Sequence, residues 1–163
     1  MRDFLRTTGV YLLLAFLGET VIAPLIDIQG IAPNFSVIAL IILALSAGAG
    51  PASVGGFVVG LIQGLTNPSL LGLQALCKTL VGYGVGSLRG RLVHGVPLVE
   101  GTMVALAVLS HDFIYLLFQS RLIDEAFLVP LITRSLPAAL YSGVVGVLML
   151  RLVELVGLLR QED

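Results

Sequence analysis

Apolar stretches about as long as a bilayer is thick, separated by turns of only a few residues, leave this chain no way to fold in water. Its 163 residues are 57 % hydrophobic and 12 % charged, whereas a soluble domain of average composition carries about 25 % charged residues. With a mean hydropathy of +1.04, lipid is its solvent. A spanning helix takes roughly 20 residues, so about six would use roughly 120 and leave only short loops. The expected fold is an all-α membrane protein: a single transmembrane helical domain over residues 1–163, a bundle of about six transmembrane helices, with five as the alternative count.

The stretch Leu71–Leu92, LGLQALCKTLVGYGVGSLRGRL, shows what such a bundle has to accommodate. It carries Gln74 and Lys78 near its middle, then Gly82, Gly84, Gly86 and Gly90, and ends in Arg89 and Arg91. A charge in hydrocarbon is expensive unless protein or water receives it, and closely spaced glycines let neighbouring backbones approach. Both features place this helix inside the bundle. Upstream, helices are expected over about Thr7 to Ile26, Asn34 to Ala47 and Pro51 to Leu65, the last after the break Gly48-Ala49-Gly50-Pro51. Downstream, after His94-Gly95-Val96-Pro97, they run over about Leu98 to Phe118 and Phe127 to Leu155.

Three local features qualify this outline. The second and third helices rise only about 21–23 Å, short of the roughly 30 Å hydrocarbon core, so a shallow hairpin is the alternative there. Pro130 and Pro137 predict a bend or an irregular start to the last helix. Gly56, Gly60 and Gly64 fall four apart on one face, and with Gly82 and Gly86 they form a packing surface, either for the bundle itself or for a partner helix. Arg2 and Arg6 ahead of the apolar GVYLLLAFLG resemble a signal peptide, but no clear small-x-small cleavage site follows, so an uncleaved first helix is expected.

Charge sets the orientation. Threading six helices puts Arg2, Arg6, Arg89, Arg91, Arg151 and Arg160 on one side and Arg121 on the other, so both termini are expected to be cytoplasmic. The remaining polar residues lie at mid-membrane or outer depth: Glu19, Gln63, Gln74, Lys78, His111, Asp112 and Arg134. Two acids match two bases there, which suggests an internal paired network, with Asp112–Arg134 the expected pair because their helices form an antiparallel hairpin. A ligand site or proton relay is the functional reading of such a cluster. Pairing that fixes helix register is the structural one, and charge neutrality favours it. His111 and Asp112, as sequence neighbours pointing about 100° apart on a helix, are not expected to face each other.

Other chemistry finds little support. There is no H-E-x-x-H, no Walker loop and no G-x-S-x-G, and the glycines from Gly82 to Gly86 follow no strand, so no enzyme is expected. Cys77 is the only cysteine and there are two histidines, too few for a credible metal site. No cofactor is expected, and no basic run suggests nucleic acid.

A short helix opening with Pro33-Asn34-Phe35, the run Gly55-Gly56-Phe57-Val58-Val59-Gly60-Leu61-Ile62-Gln63-Gly64-Leu65, then Leu71-Gly72-Leu73-Gln74-Ala75-Leu76 and Leu80-Val81-Gly82-Tyr83 to Arg89 and Arg91, together resemble the MreD family of bacterial rod shape-determining membrane proteins. Where that family often carries an acid after the Gly-Leu-x-Gln run, this chain has Gly64, leaving Gln63 or Asn67 to stand in. The resemblance implies a multi-pass protein of the bacterial inner membrane, a non-enzymatic scaffold of the cell-elongation machinery for peptidoglycan. Its implied partners are an MreC-like bitopic protein and, through it, MreB filaments, the RodA glycosyltransferase and a penicillin-binding transpeptidase. The family is also similar to the substrate-binding membrane subunits of energy-coupling-factor vitamin transporters, which supplies the alternative. Against that alternative, Ala15 is followed four residues on by Glu19 rather than a second alanine, and aromatic residues are sparse for a vitamin cage.

Overall fold

The computed structural model describes residues 9, 11, 13, 15–66, 68–91, 96–122 and 126–155. Expectations resting on Arg2, Arg6, Thr7, Asn67, His94, Gly95 and Arg160 lie outside them. The described residues form helices and no strand beyond an isolated Ile28–Ile31 bridge. The helices are α1 (Ala15–Leu25), α2 (Phe35–Ala47), α3 (Ala49–Gly64), α4 (Leu73–Leu88), α5 (Pro97–Leu122) and α6 (Leu128–Leu155). Of these, α5 and α6, at 26 and 28 residues, are long and apolar enough to cross a membrane.

The core is α2, the shortest of the expected spans. Its sequence FSVIALIILALSA is apolar on every face, and a helix of that kind must be covered all round. It is: Phe35 to Leu45 are all buried, and α1, α3, α4, α5 and α6 all pack against it. Asn34 starts the helix by accepting from Val37 N at 3.1 Å, which meets one of the donors that a first turn leaves unpaired. Gly48, at φ +86°, ends it. Its N–H reaches Ala44 O at 3.0 Å, and α3 begins at the very next residue. A left-handed residue with no Cβ makes this one-residue corner possible.

From that corner α3 and α4 run antiparallel in near backbone contact. A Cβ added at Gly56 would lie 2.6 Å from Lys78 O, at Gly60 2.5 Å from Gln74 O, and at Gly82 2.7 Å from Ala52 O, while one at Gly86 would strike Ala49. Gly64 closes the row with Gly72 N at 3.5 Å. The glycine stripes of both helices are therefore spent on each other, inside the bundle. A second seam joins α5 to α6 through Gly101, Gly143 and Gly146, which meet one another's backbones and Val104. The sequence carries its signal, Gly101, Ala105, Gly143 and Val147 at helical spacing.

At the end of this second seam Arg151 donates to Glu100 at 3.0 Å and to Glu154 at 2.7 Å. Glu100 is buried and Arg151 half-buried, so the pair lies between an exposed bridge and a desolvated one. Arg151→Met is expected to lower unfolding free energy by about 1–3 kcal/mol. Much less loss when Glu100 is already Gln would confirm the coupling in a double-mutant cycle.

Two prolines shape α1 and α6 in the same way. A proline offers no N–H to the carbonyl four residues back, and its ring crowds that carbonyl. Both helices widen into a single π turn that ends two residues before the proline: Gly18–Ile22 ahead of Pro24, and Leu131–Ser135 ahead of Pro137. The bonds Ala23 N to Gly18 O and Leu136 N to Leu131 O close the wider rings. The irregular start expected of the last helix is thus a π turn, and α1 contains its counterpart.

Candidate functional site

Both π turns face one cavity of about 230 Å³, which lies where the start of α2 meets α1, α3, α4, α5 and α6. Glu19, Gln63, Gln74, Lys78, His111 and Asp112 all line it. Four different helices contribute these six side chains, so only the folded bundle assembles the set.

Lys78 is the centre. It is 1 % exposed, and its ammonium donates to Gln74 Oε1 at 2.7 Å, one turn back on α4, and lies 3.3 Å from His111 Nε2. His111 Nδ1 is 2.9 Å from Asp112 Oδ1. An ammonium can only donate and a carboxylate can only accept. The imidazole between them must therefore donate from Nδ1 and accept at Nε2, which makes it the neutral Nδ1–H tautomer. The result is a linear relay, Asp112 to His111 to Lys78, with one negative and one positive end. Tyr115 lies parallel to the His111 ring at 6.3 Å.

This arrangement corrects the expectation that His111 and Asp112 do not face each other. The roughly 100° between neighbours applies to their Cα–Cβ directions. Nδ1 and Oδ1 each lie two bonds beyond Cβ, far enough for two side-chain rotations to close the gap.

The expected Asp112–Arg134 pair does not form. Asp112 is held by His111, and Arg134 is exposed. The π turn is the reason: Ser135, the next residue, takes the inward position and is buried, which turns Arg134 outward. With Arg134 outside, the balance of two acids against two bases fails. The cavity holds Glu19 and Asp112 against Lys78.

Glu19 is positioned by α1's own π turn and accepts from Ser36 N at 3.1 Å, so it sits on the first turn of α2. The N-terminal helix dipole favours a carboxylate at that point. Asn34, which caps the same turn, also takes a bond from Ser36 Oγ at 2.9 Å, and its own N–H donates to Ser142 Oγ of α6 at 2.9 Å. Asn34, Ser36, Tyr115 and Ser135 line the cavity too but were not singled out from the sequence, since they lie at helix ends or carry small or aromatic side chains that are common in apolar helices. Ser135 falls two before Pro137, and Asn34 follows Pro33 at a helix start; both offsets were readable.

Among the described residues no group of three His, Cys, Asp or Glu side chains is placed to hold a metal ion. Outside the cavity, the described surface carries apolar grooves. A groove of about 630 Å³ between α4 and α5 and another of about 480 Å³ between α5 and α6 flank the exposed row Leu98, Thr102 and Leu106. Leu136, Leu140, Val144, Leu148 and Leu152 form an exposed stripe along α6 at a spacing of four, which is one face of a helix.

A family model described as rod shape-determining protein MreD matches residues 3–160, nearly the whole chain. No curated protein and no solved structure matches it.

Proposed function

The chain belongs to the MreD family of rod shape-determining proteins of the bacterial membrane, and from that premise we propose that it is a non-enzymatic scaffold of the cell-elongation machinery. In this reading all six helices cross the inner membrane, both termini are cytoplasmic, and the protein binds an MreC-like bitopic protein. Through that partner it acts with MreB filaments, a RodA glycosyltransferase and a penicillin-binding transpeptidase.

The observation that carries the proposal is the extent of the family match, which covers residues 3–160. The structure lends support in two ways. The described residues are helices joined by short turns, so contacts with partners fall to lipid-facing surfaces such as the α5 grooves and the α6 stripe. The glycine seams are already closed within the chain, so they are not those surfaces. For the six-span topology, α2, α3 and α4 are 13, 16 and 16 residues long, or about 20–24 Å. They are packed among longer helices, where turns and polar ends can sit below the lipid surface under cover of protein.

The transporter alternative calls for a vitamin-sized pocket. Ligand pockets of that kind run from roughly 300 Å³ upward, and the polar cavity is smaller, at about 230 Å³. The deciding experiment is crosslinking in the native membrane followed by purification. Recovery of an MreC-like single-span protein, together with cell rounding on depletion, is the expected result. A copurifying vitamin, or vitamin uptake lost on changing Glu19 or Lys78, would overturn it.

A further inference from the structure

We infer that the polar cavity is a binding site for a small molecule or headgroup bearing a primary ammonium, received by Glu19 and Asp112. The inference stands apart from the scaffold reading and rests on charge, unspent hydrogen bonds, size and access.

Charge comes first. His111 accepts from Lys78 and donates to Asp112, so the relay contains a single cation. Glu19 adds a second carboxylate, and Arg134, the base expected to balance it, is turned away and exposed. Buried charge without a counter-charge is costly in a protein interior and more so at membrane depth. With both carboxylates ionised, the site is short of one positive charge.

Hydrogen-bonding capacity agrees. Each carboxylate has about four acceptor positions, and the described contacts use one oxygen of Glu19 and one of Asp112. An ammonium with three N–H donors can take up what remains. The same cavity offers donors for an oxygen next to that ammonium. Lys78 has three N–H groups but only two described contacts. Ser135, only 6 % exposed, lines the cavity with a hydroxyl that makes no bond among the described residues. Buried hydroxyls are ordinarily bonded. Gln63 likewise presents a side-chain amide without a described partner.

Size and access complete the case. At roughly 30 Å³ per water-sized group, about 230 Å³ suits a ligand of several heavy atoms and far exceeds a bare inorganic ion. Asp112 keeps 21 % of its side chain exposed, so the site is reachable. Single π turns occur often at functional sites, and here each of two presents a side chain, Glu19 and Ser135, to one cavity. Ethanolamine, free or as the headgroup of phosphatidylethanolamine, has the required chemistry: a primary ammonium two carbons from an oxygen.

The test uses the full chain in phosphatidylcholine nanodiscs, with thermal unfolding followed by circular dichroism. Ethanolamine is expected to raise the midpoint saturably, whereas choline, whose quaternary nitrogen has no N–H, is not. A rise only when phosphatidylethanolamine replaces part of the phosphatidylcholine identifies the lipid headgroup as the source. Glu19→Gln should weaken the response about tenfold or more, as expected for losing a charged hydrogen bond. Ser135→Ala, which removes only a hydroxyl, should weaken it by a smaller factor and covers the case in which the Glu19 variant does not fold. Equal responses to choline and ethanolamine, no response in either membrane, or undiminished binding by the Ser135 variant overturns the inference.

Discussion

Replacing Lys78 with methionine is expected to cost about 3–5 kcal/mol of unfolding free energy, the range for leaving buried charge uncompensated. Methionine keeps most of the length and volume, so the loss is electrostatic rather than a cavity effect. Without the ammonium, Gln74 Oε1 and His111 Nε2 lose their donor, and Glu19 and Asp112 face each other's charge with no cation in the cavity. The sign can be checked by a second substitution. Glu19→Gln removes one of the stranded charges, so it should restore more stability in the Lys78→Met background than it adds in the native protein. Reversible unfolding in bicelles measures all four corners of the cycle. A Lys78→Met variant within about 1 kcal/mol of the native protein would show that the relay carries no structural weight.

How much of this was legible in the sequence depended on the physical signal. Helix positions were, because turns such as Gly48 and the proline breaks punctuate continuous apolar runs. The importance of α2 was not: hydropathy marks a helix as apolar, and its shortness read as a weak span. In the bundle, shortness and an all-apolar surface are what a central helix needs. Glu19, Gln63, Gln74, Lys78, His111 and Asp112 line one cavity, and the sequence marks them because polar groups among apolar runs need company. Which of them touch was not legible. Pairing Asp112 with Arg134 assumed regular α-helical phase through Pro137, and the π turn shifts that phase by one residue, replacing Arg134 with Ser135 on the inner face. The matching turn before Pro24 could have been anticipated by the same argument, since both prolines leave a threonine carbonyl without its donor, Thr20 and Thr133. The hydroxyls of those threonines reach back to Phe16 O at 2.5 Å and Val129 O at 2.7 Å.

Gly60→Leu is expected to abolish folding of the bundle, and even Gly60→Ala to cost at least about 1–3 kcal/mol, as overpacking does. Small residues on a membrane helix can serve either the fold or a partner, and the two roles predict opposite outcomes. If Gly60 faced a partner, alanine would leave the isolated chain stable and weaken only the complex. Here the added Cβ meets Gln74 O and Ala75 Cα of α4, both at 2.5 Å. Backbone atoms of a neighbouring helix cannot rotate aside, so the two helices must separate. Parting α3 from α4 would also carry Gln74 and Lys78 away from the relay, so the damage reaches the polar cavity. Gly84 supplies the comparison on the same pair of helices. It is exposed, has nothing within 4 Å of an added Cβ, and its replacement by alanine should be neutral or stabilising by up to about 1 kcal/mol, through helix propensity. Folded yield and unfolding midpoint in detergent separate the variants. A Gly60→Ala chain as stable as the Gly84→Ala chain would return the stripe to the list of partner surfaces, and the α5 grooves and α6 stripe would lose their claim to that role.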